Sequence, residues 1–289
     1  MQERVTLMEK GKIGVQMMML KEEIAQKGIY PAMEKLAQLG FRAVEVSQIA
    51  MTAENVRALQ RAQAELGLEV AAMSCGVEDL SPEVKYPGDT LQNDMEKIIR
   101  DCSAVNCGIL RIGMLPMAYA ASPERMLELT DLCESYAKTL KPHGIDLYYH
   151  AHSIEFYRWQ GKPILTHMRE RTKALGFELD SHWMWRGGVE PVEYIRSFAG
   201  RVRLLHLKDY RIGLIPDPGE MPRGIWGLLE QFAEVGEGAL DMPAIIAAGL
   251  ASGSEYFLIE QDDRYGRDVY ESLRISRDNL IKMGYESWF

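Results

Sequence analysis

The chain has 289 residues, 47% hydrophobic and 26% charged, a balance that excludes a disordered, collagenous or disulfide-scaffold protein and requires a sizeable core. Its 42 acidic and 33 basic residues leave a net charge of -9, which repels a polyphosphate backbone and argues against a nucleic-acid partner. Cys75, Cys102, Cys107 and Cys133 show neither metal spacing nor a secreted framework, so they read as reduced, buried thiols of a cytoplasmic protein, and no run reaches the roughly 18 apolar residues of a membrane span.

Short runs of β-forming residues recur along the chain, each followed by a stretch with helical spacing. The first strand is read at 12–17; the apolar run 13–20 is interrupted by Gln16 and lacks a small-residue cleavage site after it, so it reads as a first strand and not a signal peptide. A second strand is predicted at 42–46, and Thr52 then caps a helix carrying Val56, Leu59 and Leu66 on one face. Strands follow at 69–74 and 109–113. Ser122 and Pro123 open another helix, in which Met126, Leu129, Cys133, Tyr136 and Leu140 recur at i+3 and i+4 until Pro142 and Gly144 stop it. Strands at 145–150, 177–180, 202–206 and 256–261 bring the set to eight, and a last helix lies near 269–283. Gly40, Gly67, Gly144 and Gly176 each stand before a strand, where a helix must terminate.

Eight units in 289 residues average about 36 residues each, so the expected fold is α/β, a single (β/α)8 TIM barrel over 1–289. A doubly wound sheet would carry a glycine-rich phosphate turn after its first strand, and Met17–Leu20 is nothing like one. The surplus length falls in a loop insertion at about 209–238, with Pro216, Pro218, Pro222 and Trp226, long enough for a lid, a binding loop or an oligomer contact.

In such a barrel the reactive groups stand at the C-terminal strand ends. The fifth strand ends in Tyr149, His150, Ala151 and His152, with Glu155 a few residues on. The sixth delivers Glu178, Asp180 and His182, the seventh His206, Lys208 and Asp209, and the eighth Glu260, Gln261 and Asp262. Alternation along a strand lets Glu178, Asp180 and His182 share a face, as do His206 with Lys208 and His150 with His152. Carboxylates and imidazoles converging from four strand ends repel or desolvate one another unless a cation sits among them, and a divalent metal is the simplest resolution. Glu155, Asp180, His206 and Glu260 form a mostly hard-oxygen donor set that suits manganese or magnesium, with cobalt or zinc able to substitute. Glu178 also reads as a buried ion-pair partner for Arg111, and Trp183 and Trp185 read equally as rim packing and as stacking surfaces for a ligand ring. His143 and His167 fall on helical or loop segments and read as solvated.

The motifs Tyr149-His150-Ala151-His152-Ser153-Ile154-Glu155-Phe156, Phe177-Glu178-Leu179-Asp180 with Trp183 and Gly187-Gly188, and Leu205-His206-Leu207-Lys208-Asp209 resemble the xylose-isomerase-like sugar phosphate isomerase/epimerase family, which includes inosose dehydratases. Gly236-Glu237-Gly238 with Asp241, and Ile259-Glu260-Gln261-Asp262, extend the similarity, which covers essentially the whole chain. The resemblance implies a divalent metal held by Glu155, Asp180, His206 and Glu260. Many members carry the first glutamate at the fifth strand's end, where this sequence has His150, and His152 is placed to replace Glu155.

A metal with open positions supports proton abstraction beside a carbonyl through an enediolate; His150 or His152 suits the base alongside the metal-bound glutamates, Lys208 suits donation to the oxyanion, and His182 and Trp183 are expected to contact substrate. Reprotonation at the same carbon epimerises, at the neighbouring carbon isomerises, and loss of a β-leaving group makes a dehydratase or lyase. Glu237 would repel a phosphate in the glycine turn after the seventh strand, so an unphosphorylated ketose, cyclic polyol or keto-sugar is expected. The alternatives are a lyase of 3-keto-glycosides, whose relatives sometimes pair with a small second subunit, and a non-catalytic sugar-binding barrel. Six histidines and the charge of -9 disfavour an abasic-site endonuclease of the same superfamily. The expected partner is a small carbohydrate, neither nucleic acid nor membrane, with the insertion offering surface for a homo-oligomer.

Overall fold

The computed structural model describes residues 11–213 and 229–289. All eight predicted strands form: β1 (Lys12–Gln16), β2 (Ala43–Val46), β3 (Glu69–Cys75), β4 (Ile109–Ile112), β5 (Asp146–His150), β6 (Gly176–Asp180), β7 (Leu204–Leu207) and β8 (Tyr256–Ile259). Each pairs in parallel with the next, and β8 returns to β1 with Lys12 opposite Tyr256 and Val15 opposite Ile259, which closes a (β/α)8 TIM barrel. β1 stops one residue short of its predicted end because the Gln16 side chain accepts from the Met18 amide at 2.5 Å and starts a 3-10 turn, Met17–Leu20.

Helices α1 (Lys21–Lys27) and α2 (Ile29–Gln38) follow β1, and one or more helices follow every other strand: α3 (Ala53–Leu66), α4 (Leu91–Ala104), α5 (Pro123–Leu140), α6 (Ile164–Arg171), α7 (Ser181–Arg186), α8 (Pro191–Arg196), α9 (Met242–Ala251) and α10 (Val269–Lys282). The predicted caps are made. Thr52 accepts from the Asn55 amide and Ser122 from the Arg125 amide. The stripe Met126, Leu129, Cys133 and Leu140 is buried against the barrel, with Tyr136 half-buried beside it. All four cysteines are buried. Among the described residues no helix is long and apolar enough to cross a membrane.

Inside the barrel a separate apolar cluster that includes Ala43, Ile109, Tyr148, Leu204 and Leu258 forms the floor. β1 and β6 contribute glycines to it. A Cβ on Gly14 would stand 2.9 Å from Leu258, and one on Gly176 only 2.3 Å from the Tyr148 ring. Gly176 therefore departs from its expected role: it is the first residue of β6, has no left-handed φ, and makes room for an aromatic ring. Gly67 and Gly144, at φ 67° and 74°, do terminate helical turns as expected.

The base of the predicted insertion is an antiparallel ribbon of Asp209–Ile212 with Glu230–Ala233. Pro216, Pro218, Pro222 and Trp226 lie outside the described residues. Asp209 is fully buried, and its carboxylate accepts from the amides of Tyr210, Gly236, Gly238 and Leu240 at 2.8 to 3.2 Å, gathering the loop after β7 around one charge.

Gly176→Ala is expected to lower the unfolding free energy by about 1–3 kcal/mol through overpacking, measured as a fall in the urea midpoint. An unchanged midpoint would mean that Tyr148 can swing aside.

Candidate metal centre

Alternate residues of a strand share a face, so Glu45, Arg111 and Glu178 rise from β2, β4 and β6 into one layer above the apolar floor. Arg111 Nε lies 2.6 Å from Glu45 Oε1 and 3.2 Å from Glu178 Oε2, and its Nη2 donates to Ser47 Oγ at 3.0 Å. No side chain of the three is more than 3% exposed. Burial raises the Glu45 pKa and the charge of Glu178 adds to this, against Arg111. For Glu178 burial also acts upward, but His206 and Arg111 outweigh it and lower the pKa.

The next layer holds His150 and His206, whose ring centroids are 4.6 Å apart. His206 faces two ways. Its Nε2 is 3.0 Å from Glu178 Oε1 and 3.3 Å from Glu45 Oε2, while its Nδ1 is 2.5 Å from Glu260 Oε2 and 3.7 Å from Asp180 Oδ2. His150 Nδ1 lies 3.4 Å from Glu178 Oε2. Gln16 Nε2 donates to Glu260 Oε1 at 3.1 Å, and Asp180 Oδ1 accepts from the Trp183 amide at 2.9 Å as the N-cap of α7, so each carboxylate has one oxygen anchored and the other directed inward.

His150, Asp180, His206 and Glu260 each bring one donor atom into a volume where all four lie within 4.8 Å of one another, and all four residues are buried. Asp180 Oδ2, Glu260 Oε2 and His206 Nδ1 make no in-line hydrogen bond among the described residues, although the last two lie 2.5 Å apart. Buried, unpaired donors of mixed oxygen and nitrogen type are what a divalent cation satisfies, so these residues fit a metal. The site's charges point the same way. Burial would lower the His206 pKa, but Glu178, Glu260 and Glu45 hold it well above the usual imidazole value. Burial would raise that of Glu260, but Lys208 and His206 hold it well below the carboxylate range.

Lys208 is 1% exposed, with Nζ 2.8 Å from Asp262 Oδ2, 3.7 Å from Glu260 Oε2 and 3.9 Å from Asp180 Oδ2, and it lies over the Trp183 ring at 4.8 Å. Burial works against its charge, yet Glu260, Asp180 and Asp262 raise its pKa. Above the cluster opens a cavity of about 160 Å³, lined by Gln16, Tyr86, Arg111, His150, His152 and Lys208 among others.

The expected residues are thus placed unevenly. Asp180, His206 and Glu260 converge, and His150 joins them. Glu155 stands apart: Oε1 accepts from the Tyr149 hydroxyl at 2.6 Å and Oε2 from the His152 amide at 2.9 Å, so both oxygens serve the turn Ile154–Phe156. His152 and Lys208 line the cavity. His182 is enclosed by the rings of Trp183, Phe232, Tyr210 and Trp185, with centroids 4.9 to 6.0 Å away, and burial lowers its pKa to about 4. Trp185 stacks on Tyr210 at 3.5 Å, which is rim packing. The expected Arg111–Glu178 pair forms. Glu45, Gln16 and Tyr86 escaped the sequence reading. The signal for Glu45 was an acid in the otherwise apolar strand Ala43–Val46, two residues from Ser47 on the same face.

A family model described as xylose isomerase-like TIM barrel matches residues 33–281. Comparison of the sequence with curated proteins returns no match. Among solved structures, a sugar phosphate isomerase/epimerase from Parabacteroides distasonis superposes with TM-score 0.72 at 20% identity, covering 95% of this chain and 99% of that one. An L-ribulose 3-epimerase gives 0.66 at 16%, covering 96% and 95%. The IOLI protein with a bound zinc atom gives 0.63 at 12%, covering 96% and 99%. At these identities the likeness is one of fold.

Glu155→Gln preserves the contacts to Tyr149 and the His152 amide and is expected to leave manganese binding within about twofold, while Asp180→Asn weakens it at least about tenfold in equilibrium dialysis. Equal losses from the two variants would place Glu155 among the ligands.

Proposed function

The chain belongs to the xylose isomerase-like TIM-barrel family, and on that premise we propose that it isomerises or epimerises an unphosphorylated ketose, cyclic polyol or keto-sugar at a divalent-metal centre in the barrel mouth. The observation that carries this reading is the convergence of His150, Asp180, His206 and Glu260, four buried donors, on one volume beneath the cavity. A divalent ion held there, manganese by preference, supplies Lewis-acid polarisation of a substrate carbonyl and its neighbouring hydroxyl.

The proton chemistry falls to residues of the chain. His152 lines the cavity, and burial lowers its pKa to about 4, so at neutral pH its ring is unprotonated; so weak a base takes a carbon-bound proton only where polarisation of the neighbouring carbonyl acidifies that proton. Lys208 keeps its proton beside Glu260, Asp180 and Asp262 and donates to the oxygen on which negative charge develops. Arg111 and Glu178, buried and 3.2 Å apart, form the ion-paired layer beneath the site. The cavity of about 160 Å³ matches a single sugar ring more closely than an oligosaccharide.

The loop after β7 supports a substrate without phosphate. Barrel phosphate sites draw on backbone amides of the loops after the seventh and eighth strands. Here the amides of Gly236, Gly238 and Leu240 are already taken by the Asp209 carboxylate, and Glu237 stands between the two glycines. The buried Lys208 ammonium favours a second reading on the same site, β-elimination from a 3-keto-glycoside with Lys208 protonating the departing oxygen.

Incubation of the manganese-loaded protein with ketoses, inososes and 3-keto-glycosides in heavy water is expected to place deuterium on carbon, with free sugars exchanging faster than their phosphates. His152→Ala should slow exchange by about 10²–10⁴-fold. No exchange with any substrate would sink the proposal, leaving a sugar-binding barrel, and faster exchange of the phosphates would overturn the substrate class.

A further inference from the structure

We propose that Glu178 is a positioning residue whose single carboxylate sets opposite tautomers on the two imidazoles of the centre, with the proton on Nε2 of His206 and on Nδ1 of His150. The geometry is direct. Glu178 Oε1 is 3.0 Å from His206 Nε2, and Oε2 is 3.4 Å from His150 Nδ1, with all three side chains no more than 2% exposed. A carboxylate offers only lone pairs, and so does an unprotonated ring nitrogen. Two such atoms facing each other at these distances in a dry interior repel, so each ring nitrogen turned toward Glu178 carries hydrogen; His206 Nδ1, 2.5 Å from Glu260 Oε2, carries one as well until a cation displaces it, and only then is His206 left as the Nε2–H tautomer.

Satisfaction of the layer supports this. Both oxygens of Glu178 and the Nδ1 of His150 lack an in-line hydrogen bond among the described residues, and Oε2 and Nδ1 stand 3.4 Å apart, so each is open to the other. Arg111, 3.2 Å from Glu178 and 2.6 Å from Glu45, already supplies this layer with a cation, so Glu45, Glu178 and His206 need no ion of their own although they lie close enough to hold one. Glu45 Oε2, 3.3 Å from His206 Nε2, shares the same proton and reinforces the same tautomer.

The consequence for the centre rests on the metal reading above. With the Nε2 proton turned toward Glu178, a cation displacing the Nδ1 proton of His206 would meet the Nδ1 lone pair beside Asp180 and Glu260, and an Nδ1–H tautomer of His150 leaves its Nε2 lone pair as that ring's free donor. Glu178 lies one pleat below Asp180 on the same strand, where one carboxylate reaches both rings from beneath the donor cluster.

The test is nitrogen-15 NMR of histidine-labelled protein, metal-free and zinc-loaded, together with zinc affinity by competition with a chromophoric chelator. Wild type should show His150 as the Nδ1–H tautomer in both states, and His206 as Nε2–H once zinc is bound. Glu178→Gln, which offers one ring an amide donor, should mix the His150 tautomers and weaken zinc binding by about 10–100-fold in protein that still unfolds cooperatively. Glu178→Asp keeps the charge opposite Arg111 but withdraws the carboxylate by one methylene, and should shift both readouts in the same direction. Wild-type nitrogen shifts and zinc affinity in both variants would overturn the proposal even with Asp180→Asn abolishing zinc binding. If wild type itself bound no zinc the metal reading would fall, and the metal-free His150 tautomer would still decide the role of Glu178.

Discussion

Glu45, Glu178, Asp180 and Glu260 carry four carboxyl groups into a space that water scarcely reaches, and the upper half of the barrel is organised around the positive charge they require. Isolated anions buried this way cost several kcal/mol each unless they are paired and hydrogen-bonded. Arg111 meets the lower two, Lys208 lies against the upper two, and His206 stands between the pairs in contact with all four. One imidazole thereby couples a structural layer to a chemical one. The order runs upward from apolar floor to ion-paired layer to donor cluster to cavity, and each level limits what the next can move.

Much of this was legible in the sequence because barrel units punctuate themselves. The caps at Thr52 and Ser122, the apolar stripe of α5 and the eight β-forming runs are local signals, and the structure reproduces them within a few residues. Asp180, His206 and Glu260 were readable for the same reason, since each sits at a strand end where side-chain direction follows from alternation. What could not be read was the reach of Glu155. In sequence it is the acid nearest the fifth strand's end, but the turn Ile154–Phe156 aims it back at the Tyr149 hydroxyl and the His152 amide, a matter of three-dimensional turn geometry. Glu45 and Gln16 were silent because their partners, Arg111 and Glu260, lie 66 and 244 residues away along the chain.

The ribbon after β7 adds a different kind of selectivity. A helix terminus or glycine turn with free amides accepts any small anion. By committing these amides to Asp209, the chain makes them a fixed part of its own framework, while His152, Lys208 and Tyr86 are among the side chains that line the cavity at the mouth. The aromatic enclosure of His182 belongs to the same region: Phe232 and Tyr210 come from the ribbon and Trp183 from α7, so the ribbon's position and the packing of α7 are set together.

The bond from Gln16 to Glu260 has a further consequence for how the molecule is made. It joins residues 244 positions apart and sits where β8 closes on β1. The donors of the cluster come from residues 150 to 260, while Gln16, Glu45 and Arg111, which orient them, come from the first half of the chain. During synthesis the early strands therefore emerge first, without the donors of the cluster, and the later strands bring donors whose arrangement is completed only when β8 closes on β1. Affinity for a cation arises only in the last step of closure, so a bound ion would reward completed barrels and leave partly folded chains with nothing to hold it.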